Sequence, residues 1–179
     1  MRKNEHSTFN VQLSTSNVNF RQMTSPGIPV AMTTSNSDEW PTPKRLFDAL
    51  DREFGFTLDP CSTHGNAKCR RHFTKSEDGL SRSWGQHVVF MNPPYGRQIG
   101  RWLEKAARSA QEGATVVCLV PARTDTVWWH SYCMNAEIRF IQGRLRFIGA
   151  KSSAPFPSAI VVMRKRQRVC RIRRFEYGH

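Results

Sequence analysis

The sequence predicts an α/β domain built on a sheet that contains parallel strands. Apolar runs rich in β-branched residues, such as His87-Val88-Val89-Phe90-Met91 and Val116-Val117-Cys118-Leu119-Val120, alternate along the chain with segments of helical periodicity. Three of the expected strands end in distinctive turns: Asp59-Pro60-Cys61, Asn92-Pro93-Pro94-Tyr95 and Pro121-Ala122-Arg123. In open sheets of this kind, ligands sit beyond the carboxyl ends of the strands. If those strands are neighbours, the three turns converge on one site.

The elements follow in order. Residues 1–37 hold sixteen Ser, Thr or Asn without a clear period. Such a stretch buries too little apolar surface to offset its ordering entropy, so a disordered leader is expected. The domain is expected over 38–166. Leu46, Phe47, Leu50 and Phe54 recur at helical spacing behind Thr42-Pro43, which predicts a helix over 44–54. Residues 56–59 read as a short strand and 61–71 as a polar loop. A buried strand is expected over 87–91, then an amphipathic helix over 98–112 with Ile99, Trp102, Leu103 and Ala106 on one face. A strand at 114–120 and a helix at 125–134 come next. Trp128 and Trp129 on that helix read as packing residues, since adjacent side chains face different directions. Strands are expected at 137–141 and 159–163, with 144–148 pairing to one of them. Residues 167–179 read as a basic tail.

Composition narrows the partners. A chain of 179 residues with 39% hydrophobic content suits one domain with a true core. No apolar run is long enough to span a bilayer and no secretory signal is visible, so a cytoplasmic protein without membrane contact is expected. Five cysteines without paired spacing read as free thiols. The net charge of +13 favours a polyanion, because neutralising phosphates releases counterions. Residues 164–179 carry seven Lys/Arg against one Glu, so the remaining excess lies upstream and the folded part is basic too.

The central motif is Asn92-Pro93-Pro94-Tyr95. Its prolines fix the backbone and leave carbonyls as acceptors in a rigid turn. The Asn92 side-chain oxygen is another acceptor, and Tyr95 offers a flat ring. The group as a whole suits a planar target bearing NH2. Two accepted hydrogen bonds would draw a conjugated amine nitrogen toward sp3 character and expose its lone pair.

With its surroundings, the motif resembles the phage-type DNA N-6-adenine methyltransferases, within the class I S-adenosylmethionine-dependent superfamily. The resemblance rests on Glu39-Trp40-Pro41-Thr42-Pro43, Phe56-Thr57-Leu58-Asp59-Pro60-Cys61, Glu77-Asp78-Gly79-Leu80 with Trp84, and Phe90-Met91-Asn92-Pro93-Pro94-Tyr95. It continues through Leu119-Val120-Pro121-Ala122-Arg123-Thr124-Asp125, Gly143-Arg144-Leu145-Arg146-Phe147 and Ala154-Pro155-Phe156-Pro157-Ser158. It implies a compact Rossmann-like sheet with flanking helices, mixed by a C-terminal antiparallel strand. It implies that Asn92, Pro93, Pro94 and Tyr95 meet the target, with Asn92 and the Pro93 carbonyl accepting from N6 and Tyr95 stacking on adenine. Trp40, Thr42, Pro43, Asp59, Pro60, Cys61 and Asp78 would meet S-adenosylmethionine. The glycine-rich turn usual after the first strand is absent here; Cys61-Ser62-Thr63-His64-Gly65 stands in its place.

The implied partner is double-stranded DNA with the adenine flipped out, met by a monomer. Arg97, Arg101, Arg123, Arg144, Arg146 and the basic tail are the candidate phosphate contacts. Only 33 positions separate Asp59 from Asn92, too few for an inserted recognition domain, so a short or relaxed target site is expected. The tetrapeptide also suits RNA adenine or a protein glutamine, and the missing glycines suit a non-catalytic nucleic-acid-binding protein. Cys61, His64, Cys69 and His72 have ligand types that suit zinc, but their spacing is not that of a familiar finger, and free side chains are expected.

Overall fold

The computed structural model describes residues 40–166, 170–175 and 177. The leader expected over 1–37 lies outside them. The first helix, α1 (Lys44–Phe54), begins where the periodicity places it and buries Leu46 and Leu50. It stops at Gly55, whose φ of 67° is open to glycine at little steric cost, and the Gly55 N–H closes the last turn on the Asp51 carbonyl. The Asp51 side chain then accepts from the Phe56 N–H at 2.8 Å, which turns the chain toward the sheet.

Five strands form that sheet: β1 (Val88–Met91), β2 (Thr115–Pro121), β3 (Glu137–Ile141), β4 (Ser158–Met163) and β5 (Arg171–Phe175), in the order β1-β2-β4-β3-β5. β1 runs parallel to β2 and β3 parallel to β5, while β4 is antiparallel to both its neighbours. The sheet is therefore mixed, with β4 as the one reversed strand among them. α2 (Ile99–Glu112) connects β1 to β2 and ends at Gly113. Every residue of β4, and all of β2 but Thr115, is buried, as strands covered on both faces require.

One face packs on α1. Phe47 of α1 meets Phe90 of β1 edge-to-face, with ring centroids 5.1 Å apart. Arg139 of β3, which registers with Ile160, reaches Glu53 at the end of the same helix. Through the pairings Phe90↔Val117, Val117↔Val162 and Arg139↔Ile160, the α1 face includes Phe90, Val117, Leu119, Pro121, Ser158, Ile160, Val162, Glu137 and Arg139. α2 packs against β2 and β4 and covers the other face.

Four expectations need correction. Residues 56–59 do not form a ladder. Leu58 bridges Val89 and Asp59 bridges His72, each singly, because the chain turns at Pro60, which has no N–H to give. The helix expected over 125–134 is reduced to a turn that winds into a π-helix, Trp129–Cys133. Trp129 and Cys133 are its buried residues, and Trp128 packs against the core, as the packing reading required. Residues 144–148 pair with no strand. Leu145 instead takes the Ala154 N–H on its carbonyl at 2.7 Å, and Ile148 donates to the Pro41 carbonyl at 3.0 Å, closing a loop under its own apolar side chains. The basic tail expected over 167–179 contains β5. Its charges hid it: as an edge strand it exposes Arg171, Ile172, Arg173 and Arg174 and buries only Phe175, so no apolar alternation survives.

Candidate active site

The carboxyl ends of the 57–59 segment, β1 and β2 lie side by side, so the three turns do converge. Asn92 is the first residue past β1 and continues the α1 face of Phe90. Its amide NH2 donates to the Trp40 carbonyl at 2.5 Å and to the Thr42 hydroxyl at 3.0 Å. Its Oδ1 is buried and has no partner among the described residues. Rotating the amide by half a turn would set oxygen against the Trp40 carbonyl, acceptor on acceptor, so the orientation is dictated by its surroundings. A buried acceptor without a donor costs about 1–3 kcal/mol and is conspicuous beside the chain's satisfied groups. The Pro93 carbonyl also receives no hydrogen bond from the described residues. Two free acceptors thus stand one residue apart on a rigid turn.

The loop after Asp59 is organised around that carboxylate. Asp59 is 4% exposed and accepts from the Cys61 N–H at 3.3 Å and the Lys68 N–H at 3.0 Å. Burial raises the Asp59 pKa above its ordinary value, and these two backbone bonds oppose the rise. Asp59 therefore shapes the loop with its oxygens already engaged. Cys61 sits between the motifs: burial pushes its thiol well up, Asp59 adds to this, and a bond from the Asn92 N–H opposes it. A glycine from further along the chain packs on this turn. Gly79 packs so close to Pro60 that a Cβ there would lie 1.9 Å from the Pro60 carbonyl oxygen. Asp78, just before it, is exposed with φ of 49°, an uncommon setting for a residue other than glycine. Ser62 Oγ is a second buried atom without a partner among the described residues, on the loop directly after Cys61.

Aromatic rings wall the Asn92 side. Trp40 meets Phe147 at 5.1 Å and Phe156 at 5.4 Å between centroids, and Tyr95 meets the same two at 6.2 and 5.5 Å. Tyr95 is only 7% exposed, and its hydroxyl donates to the Leu119 carbonyl at 3.3 Å. Burial pushes its phenol pKa well up. Face-to-face stacking of a heterocycle on Tyr95 therefore requires Phe147 or Phe156 to yield. Trp40, half-exposed, already has part of its surface open.

Residues 30–172 match the family model described as DNA N-6-adenine-methyltransferase (Dam). The chain belongs to that family. Within it, the chain is 30% identical over 111 residues to a DNA N-6-adenine-methyltransferase of Escherichia phage T1, covering 60% of this chain and 46% of that protein. It is 34% identical over 65 residues to the methyltransferase-like protein YfdM of Escherichia coli K12, covering 32% of this chain and 71% of YfdM. The chain thus spans about half the length of the phage T1 relative. The fold resembles that of a type I restriction-enzyme modification subunit from Vibrio vulnificus YJ016, with a TM-score of 0.50 at 13% identity over 79% of this chain and 48% of that one. The mixed sheet with flanking helices is accordingly that of an α/β class I methyltransferase.

In this member of the Dam family, the five arginines singled out from the sequence are all exposed and all lie at the carboxyl end of the parallel strands. Arg97 follows β1, Arg101 is in the first turn of α2, Arg123 follows β2, and Arg144 and Arg146 follow β3. None has a carboxylate partner among the described residues. His64 and His72 come together, Nδ1 to Nε2 at 2.9 Å, but no set of three metal-binding side chains forms among the described residues. Trp40, Thr42 and Pro43 lie directly before α1, and Trp40 and Thr42 bond the Asn92 amide. Ser62, Gly79 and the Phe147–Phe156 wall join the candidate site only in the fold, with no signal of their own in the sequence. The last two stood inside the resemblance blocks but carried no chemistry of their own.

Proposed function

We propose that this protein transfers a methyl group from S-adenosylmethionine to the exocyclic N6 of adenine in double-stranded DNA. The observation that carries the reading is the Asn92 oxygen, buried, unpartnered and held by its own amide in the pose of an acceptor. Membership of the Dam family names the substrate class.

The residues present fit a methyl donor at this end of the sheet, because Ser62 Oγ is buried and unsatisfied on the loop that the first cofactor motif would form. Trp40, Pro43, Pro60, Cys61, Ser62 and Asp78 would hold it, on a loop that Asp59 shapes. S-adenosylmethionine supplies an electrophilic methyl carbon on a sulfonium that departs with its bonding pair, so no protein acid is needed. The chain's task is orientation and electrostatics at the amine. Asn92 Oδ1 and the Pro93 carbonyl accept one N6 proton each and aim the nitrogen lone pair. Once the new C–N bond forms, one of those protons leaves to water. The aromatic wall receives the flat base.

Within a duplex that amine is turned into the stack, so the adenine is extruded at a cost of a few kcal/mol. Arg97, Arg101, Arg123, Arg144 and Arg146 hold the phosphates during that step. The protein acts in the cytoplasm as a monomer through a domain at 38–166 that β5 completes. Incubation with labelled S-adenosylmethionine and unmethylated duplex, followed by nucleoside analysis, is expected to place the label in N6-methyl-2′-deoxyadenosine. Label in 4-methylcytosine, in RNA alone or in protein would overturn the assignment.

A further inference from the structure

We infer that Thr42 is the positioning residue for the Asn92 amide rather than a contact of the methyl donor. The inference rests on Asn92 acting as the acceptor for the target amine, and it concerns how that acceptor is held. An Asn side chain at the end of a strand turns freely about its last torsion, and its two ends differ little in shape. A site that must present only oxygen has to occupy both N–H groups. Here the Trp40 carbonyl takes one at 2.5 Å and the Thr42 hydroxyl takes the other at 3.0 Å. Thr42 is 2% exposed, so water cannot substitute for its hydroxyl. With both donors engaged, the amide can neither flip nor rock, and Oδ1 remains free of any protein donor.

The clamp is itself braced. Pro41, between the two acceptors, takes the Ile148 N–H on its carbonyl at 3.0 Å. Trp40 packs on Phe147 and Phe156. The segment that fixes the acceptor is thus tied to the wall that would receive the base. Without the Thr42 hydroxyl, one amide N–H loses its partner and the group rocks about the remaining bond to Trp40. The target amine then meets an acceptor whose direction varies, which penalises the transition state more than ground-state binding.

Thr42→Val keeps the shape and removes the acceptor; Thr42→Ser keeps the acceptor. Two readouts are taken on the full chain. In the first, hydrogen exchange of the Asn92 side-chain NH2 is followed by 15N NMR. It is expected to speed up in Thr42→Val and to return toward the wild-type rate in Thr42→Ser. In the second, Thr42→Val is expected to lower kcat on the order of tenfold, with KM for duplex and affinity for S-adenosylmethionine unchanged, and Thr42→Ser to restore most of it. Weaker S-adenosylmethionine binding with unchanged amide exchange would make Thr42 a donor contact and overturn the inference. Wild-type kcat and exchange in Thr42→Val would overturn it too. If Thr42→Val fails to fold, Thr42→Ala is read by the same two measurements. Should the wild-type protein methylate no adenine at all, the proposed function falls, and the exchange measurement still decides whether Thr42 holds the amide.

Discussion

At the scale of single residues, the chemistry concentrates in atoms that the fold leaves unsatisfied or crowded. Asn92→Ala deletes the free acceptor and leaves the donor loop untouched. Transfer is expected to fall at least about a hundredfold, in line with loss of one preorganised polar contact, while calorimetry finds S-adenosylmethionine affinity retained. Activity equal to wild type would remove Asn92 from the mechanism. Gly79→Ala probes the other half. A Cβ at 1.9 Å from the Pro60 carbonyl meets backbone, so the Pro60-Cys61 turn must shift. Destabilisation on the order of 1–3 kcal/mol is expected by thermal unfolding, together with weaker S-adenosylmethionine binding. A wild-type melt and wild-type affinity would show that the close approach is dispensable. Asn92 was legible in the sequence because acceptors and rigidity are properties of the tetrapeptide itself. The clamp on its amide and the role of Gly79 were not, since each is a contact across tens of residues that no local pattern encodes.

At the scale of elements, what was legible was what apolar periodicity controls. α1 matched its expected span, and β1, α2, β2, β3 and β4 fell within a residue of theirs. What was hidden was where charge or long-range bonding decides. β5 is held to β3 along five registered pairs, yet its sequence is Arg-Ile-Arg-Arg-Phe. The same region holds an ionic cluster whose centre, Arg139 with Glu137, is buried. Arg139 grips Glu53 through two bonds of 2.6 and 2.7 Å and Glu137 through a third of 2.7 Å; Arg164 adds a bond to Glu137 at 3.2 Å. These bonds tie α1 to β3 and to the end of β4. Arg139→Ala would leave Glu137, 6% exposed at its side chain, deprived of its main partner. A loss of about 1–3 kcal/mol is expected in denaturant unfolding, since Glu137 keeps Arg164 and Arg173 but gives up its shortest charge-assisted hydrogen bond. The cluster also sets an acid dependence. The Arg139 hydrogen bond holds Glu53 below its ordinary value of 4.5. For Glu137, burial pushes the other way, and hydrogen bonds from Arg139 and Arg164 with the charges of Arg139 and Arg173 overcome it. Carboxyls with depressed folded pKa values stabilise above 4.5 and lose that contribution as pH falls through the depressed values. Arg139→Ala should flatten the stability profile in that acid window; an unchanged profile would detach the cluster from acid unfolding.

At the scale of the whole molecule, the charge of +13 is placed as well as abundant. Because β1, β2, β3 and β5 all run the same way, the segments that follow the first three emerge on the side that carries Asn92. Arg97, Arg101, Arg123, Arg144 and Arg146 therefore line one rim, the first three beside the adjacent strands β1 and β2 and the last two beyond β3, with β4 between. Under the proposed function, a duplex laid along that rim would meet its phosphates at several points while one base reached the Asn92 turn. The sequence could name the arginines, but only the topology puts them on one edge. Each lost phosphate contact should make the slope of log binding constant against log salt shallower by about 0.9. Replacing both Arg144 and Arg146 by Ala is thus expected to flatten the slope by roughly twice that and to weaken binding to any duplex sequence alike. Arg108→Ala serves as the control: Arg108 sits on α2, already paired with Glu104 at 3.2 Å, and its loss should leave the slope unchanged. Salt titrations of duplex binding by fluorescence anisotropy separate the two. Equal slopes in wild type and in the Arg144 and Arg146 double variant would move the duplex off this rim. S-adenosylmethionine affinity is expected to stay constant throughout, and a change in it would mean that the rim and the donor loop are coupled.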